Sequence, residues 1–251
     1  MPDTPDGSRA TKTLTHTAAE LLWCSGPLPT MRRLLDACPH LTLFKLVIPD
    51  GTRYKWQWDV GYQPLVAPRE LVEALLDTHS QSLQCLELDF HHHYDLTNPE
   101  LREEIENLED CVYTYPSLCG FESLSRMAIE FEKLVKVGNL PASLERLELR
   151  FCQFADLDSA FLADLVQMRD KWCPAIKAVT VSGWELGNVG ITAVQERARP
   201  LELSMRVSVD GHVLQILGLG FRLKIARLPH PQFGYSAGGE DARISGESDE
   251  E

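Results

Sequence analysis

No run in this chain approaches the roughly 18 consecutive apolar residues that a membrane-spanning helix needs. The opening residues, "MPDTPDGSRATKTLTH", lack the apolar stretch of a secretory leader, and Asp3 and Asp6 argue against a mitochondrial transit peptide. There is no Asn-x-Ser/Thr sequon and no Cys-x-x-Cys. The seven cysteines are odd in number and without framework spacing. Cys38, Cys85 and Cys152 sit in apolar stretches, where cysteine behaves as a small hydrophobe. The expectation is a set of reduced thiols in a cytoplasmic or nuclear protein. Gly-rich phosphate loops, a Gly-x-Ser-x-Gly elbow and a His-Glu-x-x-His helix are all missing, which removes the usual signatures of nucleotide binding, serine hydrolysis and zinc proteolysis. Positive charge is also short: 24 Lys and Arg stand against 37 Asp and Glu, for a net charge of −13. The last twelve residues hold six of those acids against Arg243. Such a balance disfavours nonspecific binding to nucleic acid or anionic membranes, both of which need cations.

What is present is a recurring apolar pattern. The 251 residues, 44% of them apolar, are enough for one sizeable core. The template Leu-x-x-Leu-x-Leu-x-Phe fits "LPASLERLELRF" through Leu144, Leu147, Leu149 and Phe151. It also fits Leu41, Phe44, Leu46, Ile48; then Leu83, Leu86, Leu88, Phe90; then Leu124, Met127, Ile129, Phe131; then Ile176, Val179, Val181, Gly183. The last three positions of each alternate, so they share one face of a strand. About one window in 25 would pass such a template by chance at this composition, so context must add the weight. Three of the hits follow a helical stripe. "TMRRLLDACPHL" aligns Met31, Leu34, Leu35 and Cys38 and stops at Pro39. "PRELVEALLDTHSQSL" starts at Pro68 and aligns Leu71, Val72, Leu75 and Leu76. "DLDSAFLADLVQMRDKWCPAI" offers Asp158 or Ser159 as cap, then Leu162, Leu165, Val166, Met168 and Trp172. Helix, short loop and strand in succession predict a parallel sheet.

The hits are offset by 42, 41, 20 and 32 residues. A leucine-rich repeat runs about 20 to 29 residues, so the shortest offset fits one unit and the longer ones fit units carrying inserts. A doubly wound sheet shares the helix–strand alternation. Residues 1–12 and the acidic tail 230–251 read as disordered from composition. Between them, 13–229 forms one domain with inserts at 51–67 and 91–120, and residues 201–228 hold one or two last strands closing the array.

The segments "LPASLERLELRFCQF", "FLADLVQMRDKWCPAIKAVTVSG" and "LLDACPHLTLFKLVIPDG" resemble fungal leucine-rich repeat proteins of the F-box-like, ribonuclease-inhibitor-like kind, over about residues 20 to 185. The resemblance implies an α/β fold: an irregular leucine-rich-repeat solenoid, its curved parallel sheet lined by helices on the convex side. It also implies a protein-interaction scaffold, the substrate-recognition module of an F-box-type ubiquitin-ligase adaptor. The chain departs from that pattern in having no visible F-box, since residues 13 to 30 are too short to hold one. A Skp1-like linker is therefore a partner only if an F-box lies upstream.

Candidate sites follow from the register. If the alternating apolar set faces the core, Lys45, Val47, Glu87, Asp89, Ala128, Glu130, Glu148, Arg150, Thr180 and Ser182 face the concave surface. Lys45, Glu87, Asp89, Glu130, Glu148 and Arg150 are its charged members: four acids and two bases, a mildly acidic face suited to a basic protein partner. The alternative is a solvated face that binds nothing. In the first insert Tyr54, Trp56 and Trp58 alternate, with Tyr62 following, and read either as rings packed on the domain or as a binding hot spot. "DFHHHYD" places Asp89, His91, His92, His93 and Asp95 together, but in an extended segment His92 points away from His91 and His93. A solvated loop is the plainer reading, and a metal-dependent enzyme in a doubly wound domain using His91–Asp95 is the alternative function; an orphan structural repeat protein is the third. Cys24, Cys111 and Cys119 carry no local mark of a lowered pKa. Glu103, Glu104, Glu106 and Glu109 read as a solvated helix face. Ser245 and Ser248 lie among acids in the tail, where acid-directed kinases act. No cofactor and no metal is expected.

Overall fold

The computed structural model describes residues 16–22, 26–48, 66–90, 111–152, 159–183, 204–207, 213–217 and 222–227. Their organising feature is a nine-stranded sheet in the order β1-β2-β3-β4-β5-β6-β9-β8-β7. The strands are β1 (Ala18–Leu22), β2 (Leu43–Val47), β3 (Cys85–Asp89), β4 (Arg126–Glu130), β5 (Arg146–Arg150), β6 (Ala178–Gly183), β7 (Ser204–Val207), β8 (Val213–Leu217) and β9 (Arg222–Arg227). The first six and β9 form an unbroken parallel array, and β8 and β7 close the edge as antiparallel neighbours. The terminal unit thus carries three strands where one or two were expected, and the middle one, β8, runs against the array.

Register is tight across the parallel array. Phe44, Leu86, Met127, Leu147, Val179 and Leu223 are successive cross-strand partners. All six are buried, as are Leu46, Leu88, Ile129, Leu149, Val181 and Ile225 one pleat further on. The ladder begins one residue before the strands. Leu43, Cys85, Arg126, Arg146, Ala178 and Arg222 each donate a backbone N–H to the carbonyl of Thr17, Thr42, Gln84, Ser125, Glu145 and Lys177 respectively. A one-residue slip would carry every aliphatic side chain to the other face, so burial and pairing enforce the same register.

Among the described residues three helices cover the apolar face: α1 (Leu28–Ala37), α2 (Pro68–His79) and α3 (Ser159–Lys171). Proline falls in the first turn of α1 and of α2, where its missing N–H costs nothing. Glu70 accepts a hydrogen bond from the Ala67 N–H at 3.2 Å and so caps α2. Met31 and Leu35 of α1, Leu71, Val72 and Leu75 of α2, and Leu162, Leu165 and Met168 of α3 join the sheet residues in one core. His79 ties α2 to α1: its Nε2 lies 3.2 Å from the Leu35 carbonyl, and burial pushes its pKa down. Between β4 and β5 the chain has only two 3-10 turns, Phe131–Lys133 and Val137–Asn139. There Leu134, Val137 and Leu140 supply the apolar cover.

Two template positions deviate. Phe151 turns at φ 58, a left-handed conformation uncommon for a bulky residue, and Cys152 rather than Phe151 is fully buried after β5. Phe131 leaves the strand line for the first 3-10 turn and packs edge-to-face on Phe161, centroids 4.8 Å apart. Gly183 keeps the template's last place for a steric reason: a Cβ there would stand 1.9 Å from the Cys152 carbonyl oxygen.

Candidate interaction face

The face of the sheet opposite the helices is built by the intervening residues. One cross-strand row runs Glu20, Lys45, Glu87, Ala128, Glu148, Thr180, Lys224. The row before it runs Ala18, Leu43, Cys85, Arg126, Arg146, Ala178, Arg222. A groove of about 280 Å³ lies along the two, bordered by Glu87, Arg126, Ala128, Arg146, Glu148 and Thr180.

Four of the expected face residues come together in a charge relay. Lys45 Nζ stands 2.8 Å from Glu87 Oε1, Arg150 Nη1 reaches the same oxygen at 2.8 Å, and Arg150 Nε donates to Glu148 Oε1 at 2.7 Å. Arg150 on β5 thus meets Glu87 on β3 across the intervening β4. The register puts Ala128 between Glu87 and Glu148, and its single methyl leaves room for the guanidinium to pass. Burial pushes the Glu87 carboxyl up, but the hydrogen bonds from Lys45 and Arg150 outweigh it and hold the group below its ordinary range. For Arg150, burial acts downward and is overcome by the carboxylates of Glu148 and Glu87, which raise its pKa. Side chains of Lys45, Glu87 and Arg150 are only 28%, 22% and 19% exposed, so the relay is held rather than fluctuating in free solvent.

Glu130 is a correction. Alternation sends it to the open face, yet it is fully buried. Its carboxylate accepts the Tyr115 hydroxyl and the Phe90 backbone N–H. The β3–β4 pairing runs from Cys85 with Arg126 to Glu87 with Ala128, and beyond it the Glu130 side chain supplies the acceptor for Phe90, the residue after β3. Desolvation pushes the Glu130 carboxyl up despite the nearby Lys133, and pushes the Tyr115 phenol well up, with the Glu130 charge adding to it. Lys133 is itself buried, 2.7 Å from Glu132 Oε1. Asp89, expected on the face, is partly buried and adds its charge to the surroundings of Glu130. Tyr115 and Leu118 show that the end of the second insert belongs to the core.

The sequence reading overlooked the row before the relay. Arg126, Arg146 and Arg222, with Lys224 one pleat further along β9, are exposed. None of the four is ion-paired among the described residues. Glu145, whose charge is felt by Arg146 and Arg126, is itself paired with Lys177 at 2.6 Å. With Glu130 removed to the interior and this row added, the charged face residues among those described are Glu20, Glu87, Asp89 and Glu148 against Lys45, Arg126, Arg146, Arg150, Arg222 and Lys224. The expected mildly acidic face is therefore basic on balance. The overlooked signal was alternation carried one step toward the start of each strand.

Other candidates separate from this face. Tyr54, Trp56, Trp58, Tyr62, His91, His92, His93, Asp95, Glu103, Glu104, Glu106, Glu109, Cys24, Ser245 and Ser248 lie outside the described residues. Among the described residues no three His, Cys, Asp or Glu side chains gather in a way that could hold a metal, and no helix is long and apolar enough to cross a membrane. Among the described residues Cys38, Cys85, Cys111, Cys119 and Cys173 are free thiols. Burial pushes Cys173 up to about 12 and also raises Cys85, which keeps both protonated at neutral pH. The arrangement presents fixed charges on a preformed surface. No protein-family model matches the chain, and neither a curated protein nor a solved structure does.

Proposed function

We propose that the chain is a protein-interaction scaffold that docks its partner on the open face of the parallel sheet. The observation that carries this reading is the relay of Lys45, Glu87, Arg150 and Glu148, which orients charges across strands β2 to β5 before any partner arrives. Preformed charges lose less conformational freedom on binding than mobile ones. We read the array as an irregular leucine-rich-repeat solenoid. Support comes from the buried template positions recurring on β2 to β6, and from the connections that enter β2, β3, β5 and β6, helical or 3-10, whose apolar residues share one core with the sheet. In that reading the protein serves as a recognition module, and the F-box-type adaptor is its most specific form. Capture of a Skp1-like linker by the purified chain is the direct check of that form.

The scaffold reading is tested by affinity purification from native cells with mass spectrometry. Ala128→Tyr with Thr180→Tyr fills the groove using a residue that strands favour. The pair should strip most partners from the chain while its circular dichroism stays unchanged. Arg32→Ala with Arg33→Ala, on α1, should not. If the two variants retain the same partners, docking does not use the open face.

A further inference from the structure

We propose that the row of Arg126, Arg146 and Arg222, with Lys224 beside it, docks an extended acidic segment of a partner protein whose carboxylates stand on alternate residues. This rests on the reading of the open face as an interaction surface, and it names the chemistry that surface selects.

Three observations meet here. The first is the contrast in charge. The chain carries −13, yet four exposed cations gather on one edge of this face without an ion pair among the described residues. Cations of a generally acidic protein are ordinarily absorbed by its surplus of acids, as Lys45, Arg150 and Lys177 are here. The second is shape. Arg146, Lys177, Ala178, Thr180, Arg222 and Lys224 line a hollow of about 560 Å³. Ala178 is the short residue between Arg146 and Arg222, so the floor dips where the two guanidinium groups flank it.

The third is spacing. Arg126 and Arg146 are partners on adjacent strands, and Arg222 lies two strands beyond Arg146. At about 4.8 Å per strand the three span about 14 Å. A peptide laid across the strands advances about 3.3 Å per residue, so carboxylates at positions i, i+2 and i+4 span about 13 Å on one side of it. Each guanidinium can meet its carboxylate in a two-pronged hydrogen-bonded pair, and Lys224 adds a point charge. Nucleic acid fits less well. It needs many neutralised phosphates, and the net charge of the chain repels a long polyanion beyond the few ångströms over which this row dominates.

The experiment uses the full chain and two fluorescent peptides of equal composition, GESESEG with carboxylates on alternate residues and GSEEESG with them contiguous, at about 0.15 M salt. The alternate peptide should bind at least tenfold tighter. Arg146→Ala with Arg222→Ala should abolish that preference and cut binding at least tenfold. Arg146→Lys with Arg222→Lys should restore part of it, and Arg32→Ala with Arg33→Ala should leave it alone. Equal binding of the two peptides overturns the proposal, as does binding unmoved by Arg146→Ala with Arg222→Ala. Tighter binding of oligothymidine than of either peptide overturns it in favour of nucleic acid. If removing residues 240–251 raises peptide affinity tenfold, the chain's own acidic segment occupies the row and the assignment to a partner fails. If the native partner is lost with Ala128→Tyr and Thr180→Tyr but kept with Arg146→Ala and Arg222→Ala, the face is right and the partner chemistry wrong.

Discussion

Glu87 and Glu130 stand at intervening positions of neighbouring strands, and alternation assigns them the same face. The structure separates them. Glu87 stays on the open face with Lys45 and Arg150, which hold its carboxyl below the ordinary range against the opposing pull of burial. Glu130 folds into the interior against Tyr115 and the Phe90 N–H, where desolvation pushes its carboxyl up. The difference lies in the ladder. β4 is paired with β5 as far as Glu130 with Arg150, but the β3–β4 pairing ends two residues sooner. A strand that has lost a neighbour leaves buried amides in need of an acceptor, and a side chain from the strand's end can supply one. One carboxylate thus serves charge on a surface, and the other serves hydrogen bonding in a core.

The largest expected effect comes from removing the buried member. Glu130→Ala removes from a dry interior the carboxylate that accepts the Tyr115 hydroxyl and the Phe90 N–H. Taking it from two donors at about 1–3 kcal/mol each, partly offset by no longer burying a carboxylate, should cost about 3 kcal/mol by chemical denaturation. A loss under about 1 kcal/mol would put Glu130 on a par with a surface charge and erase the contrast. Tyr115→Phe, which takes away one donor and keeps the carboxylate's bond to Phe90, should cost less, about 1–2 kcal/mol.

Glu130→Gln separates hydrogen bonding from charge. The amide oxygen still accepts the Phe90 N–H, and its NH2 donates to the Tyr115 oxygen. The sign follows from the raised pKa in the folded state. Folded Glu130 holds its proton more tightly than the unfolded chain does. The stability tied to that proton is therefore present below the unfolded value and is lost as pH rises through the folded one. Below the ordinary glutamate range the variant and parent should be nearly equal. At neutral and alkaline pH the variant should be the more stable, with the gap opening as pH rises. A gap that opens toward acid would mean the carboxyl is held down, as in Glu87.

These two carboxylates also mark how far the sequence could be read. Leu41, Phe44, Leu46, Ile48, Leu83, Leu86, Leu88 and Phe90 are all buried as their spacing predicted, because periods of 2 and 3.6 report facing directly. The same rule failed where a strand stopped. Phe131 moved into a 3-10 turn and Phe151 into a left-handed bend, and local pattern contains neither event. Strand β1 escaped notice because it has one neighbour and alternates only between exposed and partly buried, so its apolar contrast is faint. Glu130 was out of reach for a different reason. Its partners lie 15 and 40 residues away, and no window joins Tyr115 to Phe90. Arg126 and Arg146 were legible by alternation, but alternation does not say whether an acid elsewhere neutralises them. The relay shows the same limit from the other side, since Arg150 reaches Glu87 only because Ala128 intervenes.

The smallest effect belongs to the surface member, and it is the sharpest test of the contrast. Glu87→Gln removes one carboxylate from two cations, yet Arg150 keeps Glu148 at 2.7 Å, and Lys45 is exposed enough to regain water. At neutral pH the loss should fall below about 1 kcal/mol and shrink further as salt screens the pair. Its pH dependence should run opposite to that of Glu130. The lowered folded pKa means that the contribution is present above the unfolded value and is lost as pH falls through the folded one. Variant and parent should therefore converge in acid rather than diverge in alkali. Denaturation series on both glutamine variants, taken from acid to neutral pH, would show two curves bending in opposite directions. Should Glu87→Gln instead cost several kcal/mol independently of salt, the relay is part of the core. Its charges would then be committed to holding β3 to β5 and unfit to greet a partner.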